Sequence, residues 1–436
     1  MLVIQGGTLV TMDSSQRVIP NGSLVINDEI IQAVLEHGDP LPKGKHRVID
    51  ATGQVVTPGL TNMHCSPSHF AFRYRCGRST PGPTQTGTAD SDPRAGLSKD
   101  GILYAGLAGM IEQIHAGVST LFVLHVPIKD ARKEMAALAD GVSLTGIRAC
   151  LSPALRDVPD GSKSASTLRQ VESFMRWCTR ERVPNLRVMV GIHRSSTCSD
   201  PMMESAADLA DRMKAGIHIE VAPTQEDAQE CLSNRRIRVV QRLHDFGLLH
   251  RETIAAHVVH VDENEMEILR HSECLVVHTP SSDLLGGRTT APIAGMLKRG
   301  IRLTVGSADQ PTSPLSEARL SRMIVPAWTA EKPKAGVESL VRAVFFESAR
   351  FAGSVFGFRM GSLEEGAAAD VATFPAVVAC PPEDWDWAEQ IVFGIGSQSR
   401  ARNLIVGGNI VMENGVIQTI VEEEILTKVR EFTFPD

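Results

Sequence analysis

The chain has 436 residues, enough for one barrel-sized core and a smaller unit, and its 42% apolar and 22% charged residues fit a large enzyme with a well-solvated surface. A net charge of −7 argues against nucleic acid as a partner. No apolar run is long enough to cross a bilayer, MLVIQGGTLVTMDSS lacks the pattern of a signal peptide, and eight scattered cysteines without a CxxC pair read as a reduced, cytoplasmic chain.

Residues 1–56 give short apolar runs separated by Gly, Asn and Asp: Leu2–Ile4, Thr8–Met12, Ser23–Ile26, Ile30–Leu35, Arg47–Ile49 and Gln54–Val56. From there strands alternate with amphipathic helices, the pattern of a (β/α)8 barrel. The eight barrel strands are predicted near Leu60–His64, Thr120–His125, Gly146–Leu151, Arg187–Ile192, Gly216–Val221, Thr253–Val258, Cys274–His278 and Arg302–Gly306. Lys99–Ala116, Ala206–Lys214 and Glu263–Arg270 have helical spacing. The segment Gly77–Leu97, rich in Gly, Pro, Ser, Thr and Asp, follows the first strand and reads either as a lid at the catalytic face or as a plain surface loop. Residues 366–436 return to short strands at Asp370–Phe374, Ala388–Phe393, Ala401–Val406, Ile410–Met412 and Gly415–Ile420. Val406-Gly407-Gly408-Asn409 and Glu413-Asn414-Gly415 read as hairpin turns.

Pro58-Gly59-Leu60-Thr61-Asn62-Met63-His64-Cys65-Ser66 resembles P-G-x-x-N-x-H-x-H, the strand that opens the barrel of the amidohydrolase superfamily. Gly361–Val371 resembles its return segment G-x-L-x-x-G-x-x-A-D followed by an apolar residue. Arg187–His193, Gly216–Thr224, Ile254–His260, Val277–Leu284 and Gly306–Asp309 resemble its later strands, closest to the branch of cytosine, guanine and triazine deaminases and chlorohydrolases. The resemblance spans nearly the whole chain. It implies an α/β fold: a (β/α)8 TIM-type barrel over residues 57–365 and a small β-sandwich formed by both chain ends, 1–56 and 366–436.

The departures from the family pattern cluster at its metal. Ser66 stands at the second histidine and Glu220 at the fifth-strand histidine. Pro223 replaces the proton-shuttling glutamate, and Ala308 replaces the eighth-strand aspartate, with Asp309 one residue later. Serine is a poor zinc ligand, and proline cannot carry a proton. The leading expectation is therefore a site without a resident cofactor. The alternative is a rebuilt zinc or iron site of His64, Glu220, His257 and Asp309, which needs a bulge to bring Asp309 inward.

In either case His257, Glu220, His64 and Asp309 are the catalytic candidates. An imidazole titrates near neutrality, and a facing carboxylate shifts it. Arg73, His69, His193, His278, Ser281 and Arg288 are the substrate-binding candidates. With Arg75, Arg78 and Arg194, the arginines open on the same face and suit an anionic group. Cys65 alternates outward and reads as packing, and Cys198 as non-catalytic. The function expected is acid–base chemistry on a small, polar, anionic, nitrogen-containing molecule: hydrolysis of a C–N bond, or a related elimination, cyclisation or isomerisation. A metal-dependent deaminase and a non-catalytic binding subunit are the alternatives. The expected partner is a small-molecule substrate, and large apolar surfaces leave room for a homodimer.

Overall fold

The computed structural model describes residues 1–72, 92–157, 164–324, 333–376, 386–398 and 400–433. Its centre is a parallel barrel whose strands are Leu60–Cys65, Val118–His125, Arg148–Leu155, a fourth in two pieces (Leu186–Val188 and Val190–Ile192), Ile217–Val221, Thr253–His257, Leu275–His278 and Leu303–Val305. These pair in sequence order, and a parallel bridge between Cys65 and Ala308 joins the last to the first. Alternation sorts the side chains. Phe122, Cys150, Met189, Ile254, Ala256, Leu275 and Val277 pack together inside the barrel, while Val123, Leu151, Ile219, Ala255 and Val276 meet the surrounding helices. Cys65 belongs to the outer set, as the sequence suggests. Phe351 and Phe356, on the helix Ser348–Phe356, pack with the inner set.

Strands from both chain ends form a second sheet. Its order is Val416–Ile417, Asn409–Glu413, Asn403–Val406, Val371–Pro375, Gln54–Pro58, Leu2–Val10, Val18–Asn27 and Ile30–Leu35, with Arg47–Asp50 also pairing to Leu2–Val10. The stitch between the two ends is the antiparallel pair Val371–Pro375 with Gln54–Pro58. Both predicted hairpins are present, with positive φ at Gly407 and Gly408 and at Asn414 and Gly415, as tight two-residue turns require. The two runs at the N-terminus merge into one strand interrupted by a shift in register near Gly6.

One predicted strand is helical instead. Trp387–Glu389 starts a helix whose continuation, Gln390–Ile395, has π geometry. Asp386 caps it by accepting from the Glu389 amide, and Ile391, Val392 and Ile395 bury one side. Its only continuous apolar stretch, Ile391–Phe393, is too short to separate strand from helix by its period. Among the described residues, no helix is long and apolar enough to cross a membrane.

Candidate active site

The strand ends put histidines at one face of the barrel, but plain alternation would not aim them inward. In the first strand Asn62 pairs with Leu121 and Cys65 with Val123, so Met63 and His64 together span the single residue Phe122. That extra residue is a bulge, and it lets His64 turn toward the barrel axis beside the inward Met63. In the fifth strand His218 and Glu220 share the inner face two residues apart. In the sixth strand Ile254 and Ala256 are inward, so His257 would face out if the strand simply continued. Instead the Val258 N–H bonds back to the Ala256 carbonyl at 3.0 Å, with His257 at φ 68° and Val258 at φ 54°. This tight γ-turn re-aims the imidazole. Ala222 (φ 42°) and Ala308 (φ 50°) are likewise left-handed at the ends of strands five and eight. Such residues cost about 1–3 kcal/mol each and persist where the surroundings enforce them.

The result is a convergence. Donor atoms of His64, Glu220 and His257 all lie within 4.8 Å of one another, and all three residues are buried. The His64 and His257 rings meet edge to face at 5.4 Å between centroids. His64 Nδ1 lies 2.8 Å from Nε2 of His218, one layer deeper. Burial, with His218 and His257 as neighbours, drives the His64 pKa well below the usual imidazole range. Burial, with His257, lowers that of His218 to about 3. His257 Nδ1 is 2.8 Å from the Asp283 carboxylate. Among the described residues, Glu220 Oε2 accepts no hydrogen bond, and its nearest cation is Arg194, at 3.4 Å.

These residues fit a divalent metal. Two imidazoles and a carboxylate form one of the donor sets of catalytic zinc sites, which keep a fourth position open. The depressed His64 pKa leaves a neutral ring with a lone pair, as ligation requires. Glu220 Oε2 is ion-paired to Arg194 but takes no hydrogen bond from the described residues, and a carboxylate stands behind His257 in the way that orients metal-binding histidines. The expectation of a metal-free site is not what this geometry supports. Of the four residues of the rebuilt set, three converge. Asp309 does reach the pocket wall, yet its carboxylate accepts from Ser282 Oγ at 2.6 Å and lies outside the donor trio. Ser66 sends its hydroxyl to the Leu124 carbonyl at 2.8 Å.

His69 and His193 line the same pocket. His69 Nε2 is 3.7 Å from Asp92, whose two oxygens take the Arg94 guanidinium at 2.9 and 2.7 Å. His193 is locked: its Nε2 receives Arg194 at 2.9 Å, and its Nδ1 meets Thr197 Oγ1, whose proton goes to the Arg194 carbonyl. Burial and the nearby Arg194, Arg156 and Arg94 charges hold the His193 pKa well below its usual value.

Three other candidates fall elsewhere. Arg288 pairs with Asp283 at 3.2 Å and lines a neighbouring cleft with Asp227 and His260. Ser281 gives its hydroxyl, and its amide at 3.1 Å, to the buried Glu317. His278 is fully buried, and neither ring nitrogen has a hydrogen-bond partner among the described residues. Arg73, Arg75 and Arg78 lie outside the described residues. Sequence reasoning missed Arg94 and Arg156, both on the pocket wall. Arg156 directly follows the third strand, whose end at Leu155 lies four residues beyond the predicted one; the outer limit of that apolar run was the signal available.

A parallel barrel whose strand ends converge on imidazoles and a carboxylate at one face has the architecture of a barrel enzyme. This chain belongs to the amidohydrolase family, whose profile matches residues 55–411. It is 28% identical to a 5-methylthioadenosine/S-adenosylhomocysteine deaminase of Symbiobacterium thermophilum, covering 99% of this chain and 98% of the relative. It is 27% identical to the protein of the same name from Syntrophomonas wolfei, with the same coverage. Among solved structures, it resembles the atrazine chlorohydrolase of Arthrobacter aurescens TC1 complexed with zinc (TM-score 0.85, 21% identity, 99% and 100% of the two chains). It also resembles an adenosine deaminase from Xanthomonas campestris with bound zinc (TM-score 0.86, 18% identity, 99% and 97%).

Proposed function

We propose that this protein hydrolyses a C–N bond of a small nitrogen-containing substrate, and that the reaction is deamination of an adenosine-like nucleoside. The observation that carries this reading is the convergence of His64, Glu220 and His257 within 4.8 Å at the barrel mouth. The names of the full-length relatives supply the substrate class. The trio would hold a divalent metal such as zinc, which when bound supplies Lewis-acid chemistry at neutral pH. Proton transfer cannot use Pro223. We assign the taking and returning of a proton to Asp309, a carboxylate that lines the pocket outside the trio. The Ser282 hydroxyl fixes its orientation.

Arg156 favours a substrate with a negative group. It lines the pocket with Asp92 and Arg94 as charged neighbours. Of the two substrates in the relatives' name, S-adenosylhomocysteine carries a carboxylate and 5-methylthioadenosine does not. The test is ammonia release by zinc-supplemented protein from both compounds and from adenosine. The reading expects turnover that Glu220→Gln lowers at least ~10²-fold, with S-adenosylhomocysteine preferred and the preference lost in Arg156→Ala. No ammonia from any of the three would overturn the nucleoside reading.

A further inference from the structure

Behind His257 stands a group that the donor trio does not include. Asp283, on the short helix Pro280–Leu285 that follows the seventh strand, has no exposed surface. Its Oδ1 is 2.8 Å from His257 Nδ1, and its Oδ2 accepts the Thr279 hydroxyl at 3.2 Å. Thr279 Oγ1 lies 2.8 Å from that same imidazole nitrogen. Arg288 Nη2 reaches Oδ1 at 3.2 Å from the far side.

The consequence for His257 is a matter of proton counting. Both Asp283 oxygens already accept, Oδ2 from Thr279 and Oδ1 from Arg288, and the Thr279 proton is spent there, so Nδ1 of His257 is the donor. The ring is then the Nδ1–H tautomer with its lone pair on Nε2. The backbone alone would not secure this, because His257 sits in a strained turn and not in a regular strand. Here the carboxylate charge matters, because the eighth-strand position of the family's acidic ligand is Ala308. A carboxylate one hydrogen bond behind a ring raises its strength as a donor.

We infer that Asp283 is a positioning residue: it presents Nε2 of His257, lone pair outward, to His64 and Glu220, and compensates from behind the ring for the anionic donor missing at Ala308. The inference rests on reading that trio as a metal-holding group. It is tested by zinc affinity, measured by competition with a chromophoric chelator on the full chain of wild type, Asp283→Ala and Asp283→Asn, with circular dichroism and apo-protein Tm alongside. Asp283→Ala is expected to weaken zinc binding ~10–100-fold. Asp283→Asn should weaken it less, because its carbonyl still accepts from Nδ1, and it serves if the alanine variant does not fold. A merely structural role would lower the Tm and leave the affinity unchanged. Folded variants with wild-type affinity overturn this inference alone. A wild type that binds no zinc overturns the reading of the trio and this inference with it.

Discussion

His64, Glu220 and His257 stood out in the sequence as candidates because the strand motifs name them by register. What the sequence could not say is which way the neighbouring polar side chains turn once a strand ends. Ser281 looked like a pocket residue, yet both its hydroxyl and its amide serve Glu317. Burial raises the Glu317 pKa to about 7, against the hydroxyls of Ser281 and Thr312, which lower it. The sign follows from linkage: a carboxyl whose folded pKa lies above its unfolded value near 4.5 binds more protons in the native state over that interval. Its contribution is fully present below about pH 4.5 and is lost as the pH rises through about 7. Glu317→Gln, which removes the titrating group, should gain stability relative to wild type between pH 5 and pH 8, on the order of 3 kcal/mol at full ionisation. Urea midpoints at the two pH values check this, and an equal difference at both would refute it. At the pocket itself, His257→Ala is expected to lower turnover at least ~10²-fold while the far-UV circular dichroism stays that of wild type. Near-normal turnover in folded protein would remove His257 from the chemistry.

The eight barrel strands fell close to their predicted places because their apolar runs are framed by Gly and polar residues. The error at Ala388–Phe393 arose where an apolar run is too short to show its period, and contact with the rest of the chain decides its form. The bulge at Met63–His64 and the turn at His257 had no sequence signal either, since neither is marked by glycine or proline. A different glycine does matter at this scale. Gly109 lies on the helix Lys99–His115, where that helix crosses the turn after the first strand, and an added Cβ would fall on the Pro67 backbone. Backbone cannot rotate aside as a side chain can. Gly109→Ala should therefore cost ~1–3 kcal/mol and displace the segment that carries Ser66 to His69. Denaturant unfolding checks the first effect. A variant as stable as wild type would show that the helix can shift freely.

Across the whole molecule the two sheets are tied by a buried ion pair. Arg148, on the third barrel strand, meets both oxygens of Asp370 at 3.0 and 3.2 Å, and Asp370 also accepts the Gly407 amide at 2.7 Å. This gives a physical reason for the aspartate of the return segment, which the sequence marked only as a resemblance. Removing one partner leaves a buried charge alone, so Asp370→Ala is expected to lose about 3–5 kcal/mol in equilibrium unfolding. A loss below about 1 kcal/mol would mean that the pair behaves like an exposed one. The central claim, however, concerns the barrel mouth: His64, Glu220 and His257 together hold a divalent metal that the activity needs. The direct measurement is elemental analysis of protein purified without chelators, paired with activity before and after metal removal and zinc restoration. The account predicts about one divalent metal per chain, activity lost with the metal and regained with zinc, and a metal content that collapses in Glu220→Gln. Full activity in protein stripped of metal would contradict it.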